Sequence, residues 1–138
     1  MKHQNSKRIF NSILTISLLI TYSLALTQCD SSVFQELIKG YPFEEHTVTT
    51  EDGYILTLFR IQAKGQSGFK DGLKPVFLQH GLVSSADDWC LNTDKNSIGL
   101  VLANKGYDIW LGNNRGNKYS MNHTSLSIKS RKFWDFSF

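Results

Sequence analysis

The chain has 138 residues, of which 41% are hydrophobic, 12% aromatic and 20% charged. That is the composition of an ordinary globular domain, and it excludes collagen-like, disordered and disulfide-dense scaffolds. The formal charge of +3 comes from 15 Lys and Arg against 12 Asp and Glu, and Lys2, Lys7 and Arg8 supply the whole excess. The body of the chain is therefore neutral, lacks the basic stripe that a phosphate backbone requires, and is not expected to bind nucleic acid.

Residues 1–8 are polar and basic, 9–26 are mostly apolar and uncharged, and the polar run TQCDSS follows. With Ser23 and Ala25 as the small-residue exit, this predicts a secretory signal peptide over residues 1–25 and a mature part over 26–138. An uncleaved signal anchor tethering the protein to a membrane is the alternative, because the apolar stretch approaches a spanning length. Asn11, Ser12, Thr15, Ser17, Thr21 and Ser23 dilute the stretch and favour cleavage. Gln28 stands before Cys29, where a lipoprotein signal needs a small residue. Cys29 and Cys90 permit one disulfide in a secreted chain, and their spacing leaves the pairing undecided.

A short helix is expected at 33–39, capped by Ser32, with Val33, Phe34, Leu37 and Ile38 on one face and Gly40 at its end. Strands follow at 46–50 and 54–61, joined by Glu51-Asp52-Gly53, with Ile55, Phe59 and Ile61 alternating onto one face of the second. Residues 63–74 read as a polar surface loop, and 75–80 (PVFLQH) as a buried strand. Residues 97–105 form an amphipathic helix, capped by Ser97, with Ile98, Val101 and Leu102 inward and Gly106 closing it. A second buried strand follows at 107–111. The order strand, loop, helix, strand is a βαβ unit, so the fold class is α/β with a mainly parallel sheet and an antiparallel hairpin at one edge. The aromatic end at 132–138 (KFWDFSF) has nothing left to bury it, as expected of a chain that stops mid-domain or presents a docking surface.

The sharpest local feature is His80-Gly81-Leu82 at the end of the strand PVFLQH. Reactive groups gather at the carboxyl ends of strands in open α/β sheets, and glycine lets the backbone turn sharply there. The Leu82 amide would then point outward to donate to an oxyanion in acyl transfer; a plain turn, with a histidine bonded only to its neighbours, explains the tripeptide as well. Asn122-His123-Thr124 is a glycosylation sequon. His46 and His123 read as solvated or structural, Asp52 as a turn former, Asp87 and Asp88 as solvated loop residues, and Trp89, Trp110 and Trp134 as packing. No CxxC, HExxH, P-loop or GxGxxG occurs, so neither metal nor cofactor is expected.

The segments YPFEEHTVTTEDGYIL at 41–56, FLQHGLVSSADDW at 77–89, NSIGLVLANKGYDIWLGNNRGNKYS at 96–120 and FWDFSF at 133–138 together resemble the acid lipase family, the gastric and lysosomal acid lipases. The resemblance implies the N-terminal portion of an α/β-hydrolase fold and a cofactor-free Ser-Asp-His mechanism on triacylglycerol or sterol esters. It implies a lipid ester as partner of the full-length enzyme, contact with a lipid surface, and an extracellular or lysosomal address. It places Leu82 at the first oxyanion-hole position through its backbone N–H, with His80 and Gly81 as the supporting turn. Gly112-Asn113-Asn114-Arg115-Gly116 matches the family's GNSRG with Asn114 in place of serine, and Arg115 reads as a structural hydrogen-bonder.

The family's G-x-S-x-G elbow falls beyond residue 138, and its acid and histidine later still, so the triad is expected to be absent from this chain. Gly65-Gln66-Ser67-Gly68-Phe69 begins like an elbow but sits in a polar loop with no feeding strand or leaving helix, and Ser67 is assigned no role. The expectation is thus the N-terminal part of a lipase, inactive alone. The alternative is a non-catalytic secreted module binding lipid or a partner chain through its aromatic end.

Overall fold

The computed structural model describes residues 30–137, so the expected signal peptide and Cys29 lie outside the described residues. Helix α1 spans Ser32–Leu37 and strands β1 and β2 span Phe43–Thr49 and Tyr54–Ile61. Strand β3 spans Pro75–Gln79, a 3₁₀ turn Ala86–Trp89, helix α2 Ile98–Asn104 and strand β4 Asp108–Gly112. A two-residue strand β5, Asn122–His123, and a 3₁₀ turn, Arg131–Trp134, complete the series.

The β1–β2 hairpin forms because the chain can reverse at Gly53, whose φ of +92° is costly for any residue with a Cβ. Thr50 closes the turn, its N–H donating to the Tyr54 carbonyl at 2.8 Å. Strand β1 begins at Phe43, three residues before the expected start, in antiparallel register with Ile61. The alternation read in β2 holds: Phe59 and Ile61 are fully buried, with Thr57 between Ile55 and Phe59 on the same face.

The sheet runs β1-β2-β4-β3, with β5 adding to the far end of β2. Strand β2 is antiparallel to both β1 and β4, and β3 is parallel to β4. Among the described residues the sheet is therefore mixed, not mainly parallel, and β3–β4 with its crossover through α2 is the βαβ unit. Strand β3 is also not buried. It pairs only with β4 among the described residues, and its outer face leaves Phe77 58% exposed, while Val76 and Leu78 pack inward.

Helices α1 and α2 lie against one face of this sheet. Phe34 of α1 stacks on Phe59 at 4.5 Å, and Phe43 and Tyr119 flank Phe59 at 5.3 and 4.8 Å. From α2, Leu100 and Ala103 join Ile109 and Leu111 in the same core. Two expected inward positions face out: Val33 and Ile98 are exposed, because each sits in the first turn, off the stripe that meets the sheet. Neither helix uses its expected serine cap: Ser31 precedes α1, and the Ser97 hydroxyl accepts from the Asn92 N–H at 2.9 Å. Gly40 and Gly106, both at φ +90°, end the two helices as expected.

The aromatic end corrects a further expectation. Phe133 is fully buried against Tyr54, ring centroids 5.3 Å apart, and the Tyr54 hydroxyl donates to the Phe133 carbonyl at 2.6 Å. Phe136 is half-buried, edge-on to Tyr54 at 5.4 Å. The tail finds its cover on the far end of β2. Cys90 is a buried free thiol in the core, and burial, with the nearby Asp87 charge, pushes it up to about 12.

On the other face of the sheet, Arg60 is bound by Asp108 through Nε at 2.8 Å and Nη2 at 3.0 Å, and by Glu44 through Nη1 at 3.0 Å. Burial alone would raise the Asp108 carboxyl, but donors from Arg60, Gln62 and Trp110 outweigh it and hold the group below its ordinary value of 3.8. A depressed carboxyl stabilises the fold fully above its unfolded value, and that contribution is lost as pH falls through the folded value. Asp108→Asn is expected to lower stability at neutral pH by about 1–3 kcal/mol and to flatten the acid limb of the stability curve below about pH 4. Urea unfolding as a function of pH measures both; an unchanged acid limb contradicts the assignment.

Candidate active-site cleft

The parallel register of β3 and β4, with Gln79 opposite Gly112, brings their carboxyl ends side by side. At Gly112 the Gln79 side chain and the tip of the Phe77 ring close over the backbone, the ring 2.7 Å from where a Cβ would stand, so a larger residue would displace both side chains. The two loops leaving these strands form the walls of a cleft of about 660 Å³. His80 to Ser85 line one wall, Asn114 to Lys118 another, and Trp134 and Phe136 close it.

His80 is buried at the base of its loop. Its Nε2 lies 3.1 Å from the Asn114 backbone N–H, which can only donate. Nε2 is therefore the acceptor, and the neutral ring carries its proton on Nδ1, 2.8 Å from the Gly81 carbonyl oxygen. The C=O and N–H of a trans peptide point in opposite directions. With the Gly81 carbonyl turned to the imidazole, the Leu82 N–H faces away from it, and among the described residues it has no hydrogen-bond partner. Beyond it the loop is bare: the Leu82 side chain is 79% exposed and Val83 96%. Val83 also adopts φ +60°, a left-handed conformation that is unusual for a β-branched residue.

Behind the loop lies a polar network that sequence reasoning missed. Asn113, buried, accepts the Ala86 N–H at 3.0 Å and donates to the Thr57 carbonyl at 3.2 Å. Asn117 donates to Asn113 Oδ1 at 2.8 Å and to His80 Nε2 at 3.1 Å. Tyr119 donates to Asp87 Oδ1 at 2.8 Å, and Lys118 makes an ion pair with the other oxygen. Burial, and then that bond to Asp87, drive the Tyr119 phenol upward. Asp87 is thus buried and paired, contrary to the expectation of a solvated loop residue; Asp88 is exposed and accepts from the Ser84 hydroxyl. The one sequence signal for the network was the run Asn113, Asn114 and Asn117 directly after an apolar strand.

The other candidates lie apart from the His80 loop. Arg115 pairs with Asp52, and its guanidinium sits 4.4 Å above the Tyr54 ring, a packing position at the cleft's edge. His46 lies 3.0 Å from Glu44 and against Trp110, and His123 bonds the Asp52 carbonyl at 2.9 Å. Trp89 packs on the core, Trp110 donates to Asp108 at 3.0 Å, and Trp134, 48% exposed, donates to the Ile128 carbonyl at 2.8 Å. Ser67 is exposed in the loop after β2. Asn122 is half-buried in β5, paired in register with Ile55. Among the described residues no group of three or more His, Cys, Asp and Glu side chains is placed to hold a metal ion.

A family model described as a partial alpha/beta-hydrolase lipase region matches residues 35–93. Lipase member K of Mus musculus is 52% identical over 99 residues, covering 71% of this chain and 25% of that protein. A putative lysosomal acid lipase/cholesteryl ester hydrolase of Crotalus adamanteus is 50% identical over 103 residues, 74% of this chain and 26% of that protein. Gastric triacylglycerol lipase of Bos taurus is 51% identical over 100 residues, 72% of this chain and 25% of that protein. The chain thus spans about a quarter of the length of these relatives. The mixed sheet with its β3–α2–β4 crossover is a partial α/β-hydrolase fold.

Proposed function

We propose that this chain, whose matched part is similar to gastric and lysosomal acid lipases, is the N-terminal portion of a carboxylic ester hydrolase acting on neutral lipid esters, triacylglycerol or sterol ester. The mechanism is serine attack on the ester carbonyl, an acyl-enzyme, and hydrolysis by water, without metal or cofactor. We place the serine, acid and histidine of that mechanism outside the described residues, as the resemblance implies. This chain's share is one half of the oxyanion hole. As the carbonyl carbon becomes tetrahedral its oxygen gains negative charge, and a fixed N–H that needs no reorientation stabilises that charge.

One observation carries the reading: the Gly81 carbonyl is tied back by His80, so the Leu82 N–H is left without a partner in the loop that lines the cleft. The exposed side chains of Leu82, Val83, Leu91 and Trp134 give that cleft an apolar rim suited to acyl chains and to contact with a lipid surface. The names of the gastric and lysosomal relatives support a secretory route ending outside the cell or in the lysosome. On this route Asn122 is the glycosylated residue. The rival binding-module reading needs an exposed aromatic end, and the burial of Phe133 withdraws part of that surface.

The test is fatty-acid release from emulsified triacylglycerol and cholesteryl ester by the full-length protein, with and without a serine-directed alkyl phosphonate. Hydrolysis abolished by the phosphonate is expected. A folded full-length protein that releases nothing, or releases fatty acid regardless of the inhibitor, overturns the proposal.

A further inference from the structure

We infer that Asn117 is a positioning residue for this hydrolysis: its carboxamide, together with the Asn114 backbone N–H, holds His80 in the form that ties back the Gly81 carbonyl and presents the Leu82 N–H. The inference rests on the proposed role of Leu82 and adds the device that sets it.

The Asn117 side chain has no freedom to reverse. Its Oδ1 receives the backbone N–H groups of Tyr119 and Ser120, each at 3.0 Å, and both can only donate. Nδ2 is therefore on the other side, with one hydrogen for Asn113 Oδ1 at 2.8 Å and one for His80 Nε2 at 3.1 Å. Asn113 is fixed in the same way, since its Oδ1 accepts the Ala86 N–H and its Nδ2 reaches the Thr57 carbonyl. His80 Nε2 thus faces two donors, the Asn117 amide and the Asn114 N–H. A proton on Nε2 would set three hydrogens against one another, so the ring keeps its proton on Nδ1, aimed at Gly81.

The loop depends on this tie because little else holds it. Among the described residues, no backbone-to-backbone hydrogen bond outside the strands involves residues 81–84. Its side-chain anchors are His80 on the Gly81 carbonyl at one end and, at the other, Asp88, which accepts from the Ser84 hydroxyl. Asn117 acts on the first of these, through His80. Between them stands Val83 in its left-handed conformation, which costs energy of its own accord and relaxes once the anchors are released.

The first experiment needs no variant. Nitrogen-15 NMR of the histidine rings in the full-length protein is expected to show His80 with a protonated Nδ1 and a bare Nε2. A His80 protonated on Nε2 overturns the inference. The second compares near-isosteric variants. Asn117→Asp replaces the donor facing Nε2 with a carboxylate that attracts a proton there, and is expected to lower kcat about tenfold to a hundredfold with KM little changed. His80→Asn, whose amide nitrogen can stand where Nδ1 stood, is expected to keep more of kcat than His80→Gln, whose amide reaches instead to the place of Nε2. Wild-type kcat in Asn117→Asp overturns the inference, as does equal loss in the two His80 variants. Thermal unfolding identifies any variant that fails to fold, and the ring measurement on the unaltered protein stands regardless. Removal of the Leu82 N–H separates the two readings. If that leaves kcat unchanged, the oxyanion role fails; if it lowers kcat while Asn117→Asp does not, only the positioning role fails.

Discussion

Replacing the Leu82 N–H by an ester oxygen, through incorporation of the α-hydroxy analogue of leucine at position 82, is expected to lower kcat of the full-length protein by about 10²–10³-fold, with KM little changed. The substitution removes one hydrogen-bond donor and leaves the side chain in place. That N–H has no partner within the described protein, and the only bond there that the change touches is the one from His80 to the Gly81 carbonyl, which becomes a weaker ester acceptor. The His80 ring signal reports that weakening separately, and the greater part of the loss falls on the transition state, when the substrate oxygen carries charge. Leu82→Ala is the control: it keeps the N–H and trims only the exposed apolar rim, so its effect is expected on KM, with kcat changed by no more than about twofold. Equal effects of the two changes would assign the function to the leucine side chain and contradict the oxyanion role.

Phe59→Ala is expected to destabilise the fold by about 3–5 kcal/mol. Phe59 is fully buried on β2, stacked on Phe34 and flanked by Phe43 and Tyr119, so truncation opens a cavity bordered by three aromatic rings. The damage reaches the site. Tyr119 packs edge-on to Phe59, and its backbone N–H is one of the two that fix Asn117. Activity should therefore fall with stability, whereas Phe59→Leu, which retains most of the volume, should keep most of both. Urea unfolding of the two variants checks this; a loss below about 1 kcal/mol for Phe59→Ala would place the core elsewhere.

Elements governed by local chemistry were legible in the sequence. The Asp52-Gly53 turn, the alternation through Phe59 and Ile61, and the glycine helix ends at Gly40 and Gly106 follow from backbone freedom and period, which neighbouring residues report. Features set by distant partners were not. An apolar run such as Pro75–Gln79 reads as buried, but its burial depends on what pairs beyond β3 and what covers Phe77. The cover of the aromatic end is invisible in the local sequence, because the partner of Phe133, Tyr54, is 79 residues away along the chain.

The candidate site divides the same way. His80, Gly81 and Leu82 stood out because a histidine and a glycine ended a strand. Asn113, Asn117 and Asp87 did not, because asparagine and aspartate in loops ordinarily serve turns and solvent. Only the folded chain brings the loop after β4 beneath the loop after β3, where those side chains become the scaffold of a turn. The two readings of the tripeptide also prove compatible: the histidine bonded to its neighbour is the very feature that leaves the next N–H without a partner.

The most direct measurement is the NMR signal of the Leu82 amide in the full-length protein before and after covalent labelling by an alkyl phosphonate, whose phosphoryl oxygen stands in for the oxyanion. The account predicts a strong downfield shift of that proton and slowed exchange with solvent. A protein that is fully labelled, yet keeps the Leu82 amide signal and its exchange rate unchanged, would contradict it.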